Sequence, residues 1–173
     1  MRFVSFEHQG QASYGLWNDE ASWWQVPDAF RARYPDLKSV IAADQLAALE
    51  QAARTAGQLL QASACKLLPV IPNPGKVFCV GLNYKTHVAE TKRADSEYPA
   101  IFTRFADSLG AHGAPLPKPA STRRFDFEGE LAVIIGRGGR RIAPADAFQH
   151  IAGYPFFNDG TARDWQRHTH QWI

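Results

Sequence analysis

The stretch that most constrains this chain is FDFEGELAVIIG, at positions 125–136, in which two carboxylates precede an apolar run. Glu128 and Glu130 are two residues apart, so in a β-strand their side chains project from the same face. Like charges this close repel and are costly to bury unless something neutralises them. A hard divalent cation, Mg²⁺, Mn²⁺ or Ca²⁺, does so directly. The alternative is an exposed strand end whose acids face water.

A third carboxylate, Asp159, directly follows the apolar segment 151–158, which we predict to be a strand. Together with Glu128 and Glu130 it would complete an oxygen-rich shell that leaves positions for water and substrate. Such a shell suits Mg²⁺ or Mn²⁺ acting as a Lewis acid on a carbonyl group.

A candidate acid–base pair lies earlier in the chain, in the segment NYKTHVAE. We predict a short helix here, on which His87 and Glu90 are three residues apart and share a face. A carboxylate beside an imidazole raises the imidazole pKa and fixes its tautomer, which suits a general base acting on water. The alternative is a solvent-exposed helical ion pair, which is common at this spacing.

Two further polar residues, Arg163 and Gln166, share one face of a helix predicted over 161–170. Gln166 could donate hydrogen bonds to a bound oxo-acid. Arg163 could bind a substrate carboxylate through two parallel hydrogen bonds, or it could lock the loop by pairing with a nearby acid.

Composition excludes several classes of protein. Of 173 residues, 45% are hydrophobic and 21% are charged. This hydrophobic content is enough for a packed core and is higher than that of disordered chains. The 19 basic and 17 acidic residues give a net charge of +2, too balanced to indicate a nucleic acid or an anionic membrane as partner. With only two cysteines, no signal-peptide pattern and no long apolar stretch, we expect a cytoplasmic protein without a membrane span.

The pattern of polar turns and apolar runs predicts a small N-terminal domain over residues 1–70 and a second unit over 71–173, divided at the proline-rich segment PVIPNPG. The first domain is predicted to hold a three-stranded β-meander and one long helix. The predicted strands span 2–6, 12–17 and 21–26, and the predicted helix spans 43–60 with Asp44 as its cap.

Three segments, VGLNYKTHVAE, FDFEGELAVIIG and GYPFFNDGTARDWQ, together resemble the fumarylacetoacetate hydrolase family in order and spacing. The resemblance extends from Lys76 to the end of the chain and is looser over the first 70 residues. It implies a mixed, β-rich α+β fold: a distorted β-barrel of mixed sheets, incomplete in this chain, with a small N-terminal α/β domain. It also implies a homodimer, which is the usual assembly of the family.

The resemblance also implies roles for the candidate residues. Glu128, Glu130 and Asp159 match the family's ligands for Mg²⁺ or Mn²⁺, and His87 with Glu90 matches a pair that activates water or moves a proton. The substrate, a small oxo-acid, would contact Gln166, with Tyr84 and Arg163 as further candidates. For Arg163 a structural role remains the alternative.

The implied activity is metal-dependent hydrolysis of a carbon–carbon bond in a β-diketo or 2-oxo acid, such as an acylpyruvate or fumarylpyruvate. Isomerisation, decarboxylation or hydration of 2-oxo acids at the same site, or a truncated non-catalytic member, are the alternatives. The family continues with a lysine-bearing element after the segment that ends here in Gln171 and Trp172. We therefore expect this chain to be one fragment of a longer protein, whose missing C-terminal segment would be a partner if it is present as a separate fragment. The alternatives are a natural truncation that another chain completes and a degenerate, inactive member.

Overall fold

Short antiparallel strands make up most of the regular structure in the computed structural model, which describes residues 1–86, 88, 98–169 and 171–172. Helices are few and short, so the predicted mixed, β-rich α+β class is confirmed. Within the described residues, no helix is long and apolar enough to cross a membrane.

The first 67 residues build a five-stranded sheet in the order β4–β3–β2–β1–β5. Its strands are β1 (Phe3–His8), β2 (Gln11–Asp19), β3 (Ser22–Gln25), β4 (Gln58–Gln61) and β5 (Cys65–Leu67). The predicted meander is present as β1–β3, and the turn between its first two strands has positive φ at Gln9 (52°) and Gly10 (77°). The two outer strands, β4 and β5, were not predicted.

Both faces of this sheet carry buried apolar side chains, which alternate along the strands. One cluster contains Tyr14, Leu16 and Val26 together with residues of the helices. The other contains Val4, Phe6, Trp23 and Leu60, and the rings of Phe6 and Trp23 lie 5.4 Å apart. All of the fully buried apolar side chains among the described residues lie between positions 4 and 60.

Three helices connect β3 to β4: α1 (Asp28–Arg33), α2 (Leu37–Ala42) and α3 (Leu46–Ala56). Helix α1 begins directly after Pro27, its N-cap residue. A capping box formed by Asp36 and Ser39 begins α2, in which the Ser39 N–H donates to Asp36 Oδ1 at 2.7 Å.

The helix predicted over 43–60 is wrong at both ends. It begins at Leu46 after Gln45, while Asp44 adopts φ 55° and does not cap it. It ends at Ala56, because after Gly57 the chain becomes extended and pairs with β3, placing Leu60 opposite Trp23. A Cβ at Gly57 would lie 2.3 Å from the Ala53 carbonyl oxygen and 2.6 Å from that of Gln25. Only glycine allows this close passage between helix and strand.

Beyond residue 76 the described strands pair as four two-stranded ribbons. They are β6 (Val77–Gly81) with β7 (Ala100–Arg104), β8 (Phe125–Asp126) with β13 (Thr161–Ala162), β9 (Gly129–Leu131) with β12 (Phe156–Asn158), and β10 (Ile134–Ile135) with β11 (Ile151–Gly153). Short 3₁₀ helices span Ala62–Ala64, Ala106–Ser108 and Pro144–His150, and a short α-helix spans Arg163–Gln166.

The single strand predicted over 125–136 is therefore three short strands. Between β8 and β9 the Glu128 N–H donates to the side-chain Oδ1 of Asn158 at 3.0 Å instead of to a backbone carbonyl. Between β9 and β10 the Ala132 N–H donates to the Pro155 carbonyl at 3.0 Å. The three pieces pair in turn with β13, β12 and β11 of the segment 151–162.

Replacing Gly57 by alanine tests the close passage at the end of α3. We expect the free energy of unfolding to fall by about 1–3 kcal/mol, because the new Cβ overlaps two backbone oxygens that cannot move without displacing α3 or β3. Urea denaturation measures the change. Gly75→Ala is the matched control, since a Cβ there meets nothing within 4 Å. Equal stability of the two variants would contradict the model of this junction.

A second prediction concerns Asp36. Burial opposes ionisation of its carboxyl group, but hydrogen bonds from Ser39 and Asn73 outweigh burial and lower its pKa. Ionised Asp36 therefore stabilises the fold above its unfolded-state pKa, and that contribution is lost as the pH falls through the lower pKa of the folded protein. We expect Asp36→Ala to cost about 1 kcal/mol at neutral pH and less in acid. Urea titrations at a series of pH values check this, and a pH-independent cost would contradict it.

Candidate active site

The β9–β12 ribbon brings two of the predicted carboxylates together. Phe157 lies opposite Glu130 and Asn158 opposite Gly129, and the pairing continues where the Asp159 N–H donates to the Glu128 carbonyl at 2.9 Å. Glu128 and Asp159 are therefore cross-strand neighbours. Glu128 and Glu130 are each partly buried between exposed neighbours, so the two share one side of the strand, as predicted.

Asp159 is the most buried acid in this region, with only 6% of its surface exposed. Burial raises the pKa of its carboxyl group; Arg104 opposes that rise, and the negative charge of Glu128 adds to it. The charge of Glu128 thus makes ionisation of the neighbouring Asp159 carboxyl group less favourable.

The sequence analysis missed Arg104, the last residue of β7. Its Nη2 forms an ion pair with Asp159 Oδ1 and lies 3.4 Å from the Gly160 carbonyl oxygen. Cys79, on the neighbouring strand β6, lies in the same environment, since burial and then the charge of Asp159 raise the pKa of its thiol. The sequence shows only that a basic residue ends a largely apolar strand. That pattern does not indicate which acidic residue Arg104 would contact.

Arg163 is held by three side chains. Its Nε contacts Asp126 Oδ2 at 3.0 Å, and its Nη1 contacts Glu128 Oε1 at 2.8 Å and Gln166 Oε1 at 3.2 Å. Arg163 thereby fixes the orientation of Glu128 and the amide of Gln166. The amide nitrogen of Gln166 is the end that remains suited to donate toward a ligand.

A second set of contacts anchors the helix that carries Arg163 and Gln166. Thr122 is buried, and its hydroxyl donates to Asp164 Oδ1, while the Arg123 N–H donates to Asp164 Oδ2 at 3.1 Å. These hydrogen bonds lower the pKa of Asp164. The helix is therefore tied to the chain just before β8, which fixes Arg163 beside Glu128.

Tyr84 connects the segment of the predicted acid–base pair to the acidic ribbon. Its hydroxyl oxygen accepts a hydrogen bond from the Leu131 N–H at 3.1 Å, next to Glu130. The Val88 N–H donates to the Tyr84 carbonyl at 3.0 Å, which is one helical turn. His87 and Glu90 themselves lie outside the described residues.

The donor chemistry of this region suits a hard cation. Asp159 Oδ1 is buried and, apart from its contact with Arg104, has no hydrogen-bond donor among the described residues. Carboxylate oxygens are the ligands that Mg²⁺ and Mn²⁺ prefer, and two of them lie on adjacent strands here. The side chains do not converge on one point, because in the described part of the chain no three His, Cys, Asp or Glu residues form a group able to hold a metal ion. Separate arginines hold Glu128 and Asp159 instead.

Comparison with known proteins places this arrangement in a family. Residues 76–173, more than half of the chain, match the family model described as fumarylacetoacetate (FAA) hydrolase C-terminal. The oxaloacetate tautomerase YisK of Bacillus subtilis (strain 168) is 41% identical over 115 residues, which are 64% of this chain and 38% of that protein. The fumarylacetoacetate hydrolase domain-containing protein 2 homolog of Dictyostelium discoideum is 39% identical over 111 residues, which are 63% of this chain and 36% of that protein.

The solved structure of fumarylacetoacetate hydrolase from the psychrophilic Exiguobacterium antarcticum matches the fold with a TM-score of 0.73 and 29% identity. The match covers 99% of this chain and 60% of the Exiguobacterium chain. This chain therefore corresponds to about three fifths of that structure. It spans less than two fifths of the length of the two sequence relatives. The chain belongs to the fumarylacetoacetate hydrolase family.

Proposed function

We propose that this protein acts on 2-oxo acids through an enol or enolate, with a divalent cation held by Glu128, Glu130 and Asp159. The cross-strand pairing of Glu128 with Asp159 is the observation that carries the proposal. It gathers negative charge at a partly buried place, where a doubly charged cation is the natural counter-ion. Mg²⁺ or Mn²⁺ would polarise the 2-oxo group as a Lewis acid and so favour enolisation.

The chain's own residues would bind and orient the substrate. The amide nitrogen of Gln166 would donate to a substrate carboxylate, because Arg163 already holds the amide oxygen. Arg163 serves as the brace of Glu128, since its guanidinium is committed to three side chains of this chain. Tyr84 would hold the segment of the acid–base pair against the strand that carries Glu130.

Tautomerisation or isomerisation is the reaction that the similar proteins support best. His87, oriented by Glu90, would take a proton from the carbon next to the 2-oxo group, and the oxo oxygen would gain a proton, giving the enol. Atoms balance without water or a second substrate. A relative 41% identical to this chain is named as an oxaloacetate tautomerase, which supports a 2-oxo dicarboxylate as the substrate class.

Hydrolysis of a carbon–carbon bond is the second candidate. His87 would take a proton from water, the resulting hydroxide would add to a remote carbonyl, and the bond between that carbon and the enolate carbon would break. The leaving enolate would then be protonated. The spacing of His87 and Glu90 favours it, as does the matched structure named as a fumarylacetoacetate hydrolase. Acylpyruvates and fumarylpyruvate are the substrates to test.

Removing the carboxylates tests the metal site. Mutating residues that only orient metal ligands typically lowers metal affinity by ~10- to 100-fold. We expect Asp159→Asn and Glu128→Gln each to weaken Mn²⁺ binding by more than this, because each removes a charged ligand. Isothermal calorimetry measures the affinity. Glu20→Gln makes the same charge change at an exposed turn and should leave binding unchanged. Unaltered Mn²⁺ affinity in both site variants would contradict the assigned ligands.

Replacing His87 by alanine tests the acid–base assignment. We expect the rate of whichever reaction the protein catalyses to fall by about 10²–10⁴-fold, the usual contribution of a positioned general base. Oxaloacetate tautomerisation and acylpyruvate cleavage should be assayed on one preparation, with the products identified, so that the two candidate functions are compared directly. A variant with native circular dichroism and unchanged rates would show that His87 is not the base.

A further inference from the structure

Two arginines neutralise the acidic residues of the candidate site, but the protein holds them very differently. Arg163 contacts the side chains of Asp126, Glu128 and Gln166. Among the described residues, Arg104 has one carboxylate partner, Asp159. Its other polar contacts are weaker: Nη2 lies 3.4 Å from the Gly160 carbonyl oxygen, and the guanidinium hydrogen-bonds the Cys79 thiol. Its Nε is buried without a hydrogen-bond acceptor among the described residues.

The contact between Arg104 and Asp159 involves Oδ1, the buried oxygen of a carboxylate that the proposed function takes as a metal ligand. A guanidinium and a divalent cation are both positive and cannot share one carboxylate oxygen at contact distance without strong repulsion. Binding of the metal at Asp159 therefore requires Arg104 to move away. In the described part of the chain, Arg104 would give up only its weak contacts with Gly160 and the Cys79 thiol on leaving Asp159, whereas Arg163 would give up three charged or amide partners.

We propose that Arg104 is a positioning residue that competes with the metal for Asp159 and so sets the affinity of the site for divalent cations. The inference rests on the proposed function, because it takes Asp159 as a ligand. Arg104 has two opposing effects in this scheme. It stabilises the protein without bound metal by neutralising a buried carboxylate, and it weakens metal binding by holding the same oxygen.

These opposing effects distinguish competition from a purely structural role. A residue that only maintained the shape of the site would, when removed, lower both the stability and the metal affinity. A competing cation, when removed, lowers the stability of the protein without metal and raises its affinity for the metal. Charge, rather than the shape of the guanidinium, should control both effects, since a single nitrogen of Arg104 contacts Asp159.

The test compares the wild-type protein with Arg104→Met and Arg104→Lys. Methionine keeps much of the length and removes the charge, whereas lysine keeps the charge. We expect Arg104→Met to bind Mn²⁺ about tenfold more tightly, from the loss of one unit charge a few ångströms from the site. Its melting temperature without metal should fall, and saturating Mn²⁺ should restore most of the loss. Arg104→Lys should match the wild type in both measurements.

Calorimetry and thermal unfolding separate the outcomes. If the wild type binds Mn²⁺ and Arg104→Met binds it equally or more weakly, Arg104 does not compete and this inference is overturned, while the proposed function stands. If the wild type and Arg104→Met both bind no Mn²⁺, the metal site of the proposed function is itself wrong, and the inference falls with it. Arg104→Gln, which keeps hydrogen-bonding capacity without charge, replaces the methionine variant if that variant does not fold.

Discussion

The repulsion between carboxylates on adjacent strands is the constraint on which the rest of the site depends. Glu128 and Asp159 face each other across a ribbon, and burial makes their charges costly. The protein meets this cost with two guanidinium groups brought from different elements, Arg104 from β7 and Arg163 from the short helix that follows β13. Charge neutralisation thus connects three parts of the chain that, among the described residues, contain no fully buried apolar side chain.

The manner in which the site is held follows from where the core lies. The fully buried apolar side chains of the described residues belong to the N-terminal sheet and its helices. The ribbons that carry the site are joined instead by hydrogen bonds and ion pairs, such as those of Asp164 with Thr122 and of Tyr84 with Leu131. Their outer face remains apolar and exposed, with Phe127 at 77% and Phe156 at 95%. Electrostatic interactions therefore contribute much of what holds the site in place. Charge substitutions and salt should disturb such a site more than they would disturb a packed apolar core.

Enolisation is the step common to the two candidate reactions. Tautomerisation needs a proton to leave carbon and another to reach oxygen, whereas hydrolysis also needs a water molecule and a second carbonyl. In the proposed function both reactions would use the same three carboxylates and the same base, so one site would serve tautomerases and hydrolases alike. The choice between them depends on the groups around His87 and Glu90 and on the substrate, rather than on the acidic ribbon.

Local sequence determined the alternation that sets Glu128 and Glu130 on one side of a strand, the apolar segment that ends in Asp159, and the motifs that identify the family. These are short-range properties, because the strand period of two residues needs no partner to be recognised. The tertiary structure decided what depends on distant residues. Helix α3 ends at Ala56 because β3 lies against the chain at Gly57, and the acidic strand is interrupted where Asn158 and Pro155 supply hydrogen bonds. Arg104 reaches Asp159 from 55 residues away in the sequence. Periodicity contains no information about which distant groups meet, and the pairing of charges at this site is a property of the fold.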